Sequence, residues 1–214
     1  MNSLSSRREK TPAKASNDEI LDIATRAFAA KGFEGARMDE IAKDANVNKA
    51  TLYYRIGDKD ALYEAVLKRI FTAKVKRLEQ MLATVDDVEE RIRVFASILV
   101  DGDQPQQFSA IMLREIAGGG DNLPDDVLPL MGRIVGALRQ TLEQGVKEGR
   151  FRPVNPFLVH MALVGACTFY ASNGPIRRRV AALAPDGSAL KTEMTLPDAA
   201  QAIADVLLNG VRKS

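Results

Sequence analysis

Apolar residues in this chain recur at three- and four-residue intervals, the spacing of one helix face, and few segments alternate as strands do. From Asp18 to Lys31, Ile20, Ile23, Ala24, Ala27 and Phe28 form one such face, with Asn17 or Ser16 placed to cap it. Gly32 can end that helix at positive φ, with Phe33 folding back onto it. The stretch from Met38 to Leu62 then reads as two short helices, a tight turn between them, and the start of a third. Ile41, Ala42 and Ala45 line the first helix, Val47 and Leu52 give the second its inward contacts, and Leu62 opens the next inward face. Asn46 falls at the bend, where a residue near the left-handed conformation is needed and Asn tolerates it better than any residue but Gly. Asn48 and Asp58 stand where N-caps of the following helices belong.

Lys59 to about Leu82 reads as one long helix with Leu62, Val66, Ile70 and Phe71 inward, and with Lys68, Arg69, Lys74, Lys76 and Arg77 expected on a solvated face. Helices follow at about 87–101, 105–117 and 125–149, with Pro129 kinking or restarting the last. Asn155-Pro156 is a cap followed by a first-turn proline, a strong helix start. Phe157 to Gly174 then carries no Asp, Glu, Lys or Arg, which raises a membrane-spanning reading. His160, Gly165, Thr168, Ser172 and Asn173 argue against it, and an all-round apolar helix in a globular protein is expected between its own core and a partner subunit. The final helix, roughly 197–212, puts Ala200, Ile203, Ala204, Leu207 and Leu208 on one side, after a loop at 183–196. Two such helices from each of two copies would make an intersubunit four-helix bundle.

Composition narrows the class. With 214 residues there is ample material for a core, and the absence of Trp beside much Ala, Leu, Arg, Glu and Lys favours helix throughout. A single Cys excludes an intramolecular disulfide and fits a reducing cytoplasm; the first 16 residues lack the apolar run of a signal peptide and read as a disordered arm that could reach a minor groove. The net charge of +2 says little, but its distribution says more. Residues 1–16 hold Arg7, Arg8, Lys10 and Lys14 against Glu9, and within 17–62 the acids cluster early, leaving Lys49, Arg55 and Lys59 with only Asp58 nearby. That is a local basic face, suited to positioning on phosphate.

The outward side of the second short helix (Lys49, Ala50, Thr51, Tyr53, Tyr54 and Arg55) carries hydroxyls, phenols and cations instead of core residues. That is the pattern of a helix-turn-helix whose second helix enters the DNA major groove. The run I-A-x-x-A-x-V-x-x-x-T-L-Y-Y-x-x-x-x-K-x-x-L, from Ile41 to Leu62, resembles the DNA-binding signature of the tetracycline-repressor (TetR) family. The resemblance implies that Lys49, Ala50, Thr51, Tyr53 and Tyr54 face the groove while Tyr53 and Lys59 hold the phosphate backbone. With Arg37, Asn48 and Arg55 these are the candidate DNA-binding residues. The chain departs from the family pattern in three places: Asn46 replaces the usual turn Gly, Ala36-Arg37 replace the usual Thr or Ser, and Arg55-Ile56 replace the usual His-Phe. Arg37 would substitute a charged phosphate contact for a neutral one.

The expected architecture is all-α: a basic arm at 1–16, a three-helix DNA-binding head at 17–62, and a helical ligand-binding and dimerisation domain at 63–214. The resemblance implies a homodimer through the helices at about 156–173 and 197–212, a palindrome-like double-stranded operator, and a small-molecule effector whose binding respaces the two heads. Phe108, Met112, Met131, Leu138, His160 and Cys167 are candidates to line the effector cavity, since Met and aromatic residues suit adaptable apolar sites, although each also suits an ordinary core. The sequence predicts no metal site, no cofactor and no catalytic group: it has one His, no paired His/Cys spacing and no nucleophile elbow. Gly118-Gly119-Gly120-Asp121 lacks the strand before and the Lys-Ser/Thr after that a phosphate loop needs. The competing expectation is a helical ligand-binding or scaffold dimer without sequence-specific DNA recognition, against which the outward Lys49, Thr51 and Tyr53 speak.

Overall fold

The computed structural model describes residues 15–183 and 193–213, so the expected basic arm lies almost wholly outside the described residues. Among the described residues the elements are ten α-helices and one 3-10 turn. They are α1 (Asn17–Gly35), α2 (Met38–Asp44), α3 (Lys49–Arg55), α4 (Lys59–Leu82), α5 (Val88–Val100), α6 (Pro105–Ala117), the 3-10 turn Asp125–Val127, α7 (Leu128–Lys147), α8 (Pro156–Ser172), α9 (Gly174–Ala181) and α10 (Leu196–Val211).

Local chemistry sets the ends. Ser16 and Glu19 form a capping box at α1, and the Asp58, Asp87, Asn155 and Thr195 side chains accept from first-turn amides of α4, α5, α8 and α10. Gly32, at φ 72° and ψ 175°, breaks α1, and Phe33 turns back so that its ring lies 6.3 Å from Phe28. Pro129 restarts the chain as α7 after the 3-10 turn, because a first-turn proline loses no hydrogen bond.

α1 and α4 are joined by Phe28 edge-on to Tyr63, ring centroids 4.7 Å apart, both rings buried. Each such ring contributes about 1.5–3 kcal/mol through burial. α6 also packs on α1: Arg114 donates to the carbonyls of Ala29 (3.3 Å) and Ala30 (2.9 Å) at the far end of α1, and Tyr63 donates to the buried Glu115 at 2.6 Å. α10 lies along α5 and α8, and the chain end is sewn back onto the α7–α8 link. The amide of Arg152 donates to the Val211 carbonyl and that of Lys213 to the Arg150 carbonyl, both at 2.9 Å, while Glu89 accepts from Arg150 and Arg212. Beneath that seam, the Phe151 ring occupies the place where a Cβ on Gly145 would stand, 2.1 Å from its Cδ2.

One expectation is corrected. Lys74 is not on a solvated face: it is 6% exposed, and its ammonium donates to the carbonyls of Ile98 (2.7 Å), Asp101 (3.0 Å) and Leu99 (3.4 Å). It therefore caps the C-terminal end of α5, where the helix dipole and unpaired carbonyls favour a cation, and it lies 4.9 Å over the Phe108 ring. Burial lowers its pKa from 10.5 to about 8. α9 is a helix that the hydrophobic periodicity did not suggest, because it buries no residue.

Candidate nucleic-acid interface and the expected cavity

The bend between α2 and α3 is a Schellman turn. Val47 N–H donates to the Ala42 carbonyl and Asn46 N–H to the Lys43 carbonyl, both at 3.0 Å, with Asn46 at φ 51°. Val47 thereby drops into the core, and α3 leaves at an angle with Leu52 as its anchor, 0% exposed. Asn48 caps α3 by accepting from Thr51 N–H at 2.6 Å. The remaining face points outward: Lys49, Ala50 and Tyr53 are exposed, Thr51 is half-buried, and Tyr54 is 92% exposed.

The cations around this face differ in freedom. Lys49 pairs with Asp39 of α2 at 2.9 Å, a hydrogen bond that raises its pKa, and it approaches the Tyr53 ring at 5.9 Å. Arg37 is exposed at the start of α2 with no capping hydrogen bond from its side chain. Lys59 donates to the Glu34 carbonyl at 3.1 Å and lies 4.6 Å over Phe33, which fixes it at the end of α1 with donors to spare. Arg55 is held within the head. Its Nε donates to Asn17 Oδ1 (2.8 Å) and its Nη1 to the Ala15 carbonyl (2.6 Å), so it ties α3 to the start of α1. The sequence could not have signalled this, because the partners lie 38 and 40 residues upstream.

The six residues expected around an effector cavity differ in their surroundings. Phe108 lines a cleft between α1, α4 and the α5–α6 loop, whereas Met112, Leu138 and Cys167 are buried in the hydrophobic core and Met131 packs against it. Burial pushes the Cys167 thiol up to about 12, so it packs as a small inert group. Desolvation lowers the pKa of the half-buried His160. Lys74 and Gln104, which line the same cleft as Phe108, were missed; a run of basic residues on α4 hid the first.

A helical head that turns a short polar helix outward on a Schellman bend defines a helix-turn-helix DNA-binding protein. Residues 20–66 match the family described as bacterial regulatory proteins, tetR family, and residues 89–195 match the tetracyclin repressor-like C-terminal domain. The chain belongs to the TetR family and is a DNA-binding transcriptional regulator. It is 27% identical to the HTH-type transcriptional regulator RutR of Escherichia coli K12 over 201 residues, covering 92% of this chain and 91% of RutR. It is also 27% identical over 165 residues to the HTH-type transcriptional repressor NicS of Pseudomonas putida, covering 75% and 78%. Among solved structures, the TetR-family regulator PfmR of Thermus thermophilus superposes with a TM-score of 0.63 at 27% identity, covering 90% of this chain and 98% of PfmR. No helix among the described residues is long and apolar enough to cross a membrane.

Proposed function

We propose that this regulator is a homodimeric repressor that a small molecule releases from a palindrome-like operator, with residues 17–62 as its DNA-binding head and 63–214 as its ligand-binding and dimerisation body. The observation that carries the DNA reading is the outward face of α3, where Tyr53, Tyr54, Lys49 and Thr51 meet solvent while Leu52 is the one buried side chain of the helix. Lys49, Ala50, Thr51 and Tyr54 read base edges; Arg37, Tyr53 and Lys59 hold phosphates; Asn48 and Arg55 set the position of α3. Repression is supported by the name of NicS, a transcriptional repressor.

The dimer reading is supported by α8. Val159, Leu163 and Cys167 are buried, yet Phe157, Leu158, Met161 and Phe169 on the same helix are exposed, as is Val206 of α10. Those exposed side chains and the shallow apolar groove between α8 and α10, about 420 Å3, would be covered by the same helices of a second copy. A two-fold dimer sets two α3 helices toward two half-sites.

Selection of bound duplexes from a random library, followed by mobility-shift titration of the winners, tests the reading. Enrichment of an inverted repeat bound by a dimer is expected. A library that returns no shared sequence would instead favour the helical dimer without DNA recognition.

A further inference from the structure

Ala15, the first described residue, is pinned against the helix-turn-helix. Its amide donates to the Ala45 carbonyl at the end of α2 (3.4 Å), and its carbonyl accepts from Arg55 Nη1 at the end of α3 (2.6 Å). Arg55 Nε donates to Asn17 Oδ1 at 2.8 Å, so one guanidinium joins α3 to both Ala15 and the first turn of α1. The capping box of Ser16 and Glu19 sets the backbone between them, and Arg69 of α4 holds the same turn by donating to the Asp18 carbonyl (3.2 Å) and the Asp22 carboxylate (2.6 Å). The point at which the chain enters the head is therefore fixed beside α3.

Residues 1–14 lie outside the described residues, but their charge is plain in the sequence: Arg7, Arg8, Lys10 and Lys14 against Glu9. An extended chain advances about 3.3–3.6 Å per residue, so the step from Ala15 back to Arg7 reaches up to about 27 Å. The major groove is about 12 Å wide. A cationic segment rooted beside α3 thus has length enough to pass the groove edge and meet the phosphates beyond it. Tethering raises the local concentration of those cations at the duplex only if the root stays close to it, and Arg55 supplies that condition.

We propose that residues 7–14 contact DNA phosphates flanking each half-site, and that Arg55, acting through Ala15 and Asn17, is the positioning residue that places them there. This rests on the reading above that α3 enters the groove, and it adds a contact outside the helix-turn-helix. Phosphates carry no sequence information, so the arm strengthens binding to every duplex and leaves the preferred sequence unchanged.

The test is the salt dependence of duplex affinity for the full chain, read by fluorescence anisotropy on the selected operator and on a mixed-sequence duplex. An arm variant combining Arg7→Gln, Arg8→Gln, Lys10→Gln and Lys14→Gln should lower the slope of log affinity against log salt by about three per half-site, on both duplexes. It should also bind at least about tenfold more weakly near physiological salt. Asn17→Ala, at an exposed position, loosens the anchor without removing a cation and should weaken binding about threefold; Arg55→Ala should do so more strongly. Binding is measured well below each variant's circular-dichroism melt, so only folded protein is compared. Placed in the arm variant, Asn17→Ala and Arg55→Ala should lose most of their effect, whereas an arginine that touched DNA itself would cost the same in both backgrounds. An unchanged salt slope in the arm variant, or equal losses from Arg55→Ala with and without the arm charges, would overturn the proposal. A library that returns no shared sequence fails the operator reading alone, because the slope on the mixed-sequence duplex still decides the arm.

Discussion

α3 and α8 both leave large side chains in solvent, and they do so with opposite chemistry. α3 exposes two phenols beside Lys49 and Thr51 and buries only Leu52. α8 exposes Phe157, Leu158, Met161 and Phe169 along a helix with no charged residue. A face of hydroxyls and cations is content in water and matches phosphates and base edges; a face of hydrocarbon is content only against more hydrocarbon. Exposure therefore marks both helices as unfinished, and side-chain chemistry says what finishes each.

The sharpest way to break that contrast is to put charge where α8 has none. Leu158→Glu with Phe169→Glu should weaken self-association at least about a hundredfold, read by sedimentation equilibrium, because two carboxylates from each protomer would have to be desolvated in the dimer. An unchanged dimer would remove α8 from the interface.

The next effect concerns two lysines, Lys49 in solvent and Lys74 buried. Lys74 has a folded pKa near 8 against 10.5 when free, so between those values the unfolded chain binds more protons. Stability therefore rises with pH across that window, and relative to Lys74→Met the parent should gain about 2–3 kcal/mol from pH 7.5 to 10.5 in urea melts. A constant difference would mean that Lys74 is solvated after all.

Smaller effects separate the roles on the head. Tyr53→Ala and Lys59→Ala should weaken binding to selected and scrambled duplexes alike, each by about tenfold, with Lys59→Ala also lowering the salt slope by about one. Lys49→Ala should shift the preferred sequence; equal loss on both duplexes in a mobility-shift titration would contradict base reading. Arg55→Ala should leave sequence preference alone and cost about 1 kcal/mol of head stability, since its hydrogen bonds go to Asn17 and Ala15.

Much of the head was legible in the sequence, because its determinants are local. Caps at Ser16, Asn48 and Asp58 act within four residues, and Asn46 takes positive φ where the bend required it. The body was less legible wherever a residue's surroundings come from afar. Lys74 sits among Lys76 and Arg77 and looks solvated until the end of α5, 24 residues later, is folded over it. Met112, Leu138 and Cys167 have a composition that fits cavity wall and filled core equally, and only packing separates them. α9 did carry a signal, since Asn173-Gly174-Pro175 repeats the Asn-then-Pro sequence read at Asn155-Pro156, but with no residue buried it gave no hydrophobic period to support it.

The stitching of Arg152 and Lys213 around the chain end makes the last few residues a fastening rather than a tail. α10 lies beside α8, so anything that frees Val211 and Arg212 would let a wall of the proposed subunit contact swing loose. Removing Gly210 to Lys213 should therefore loosen assembly in a protein whose head is untouched.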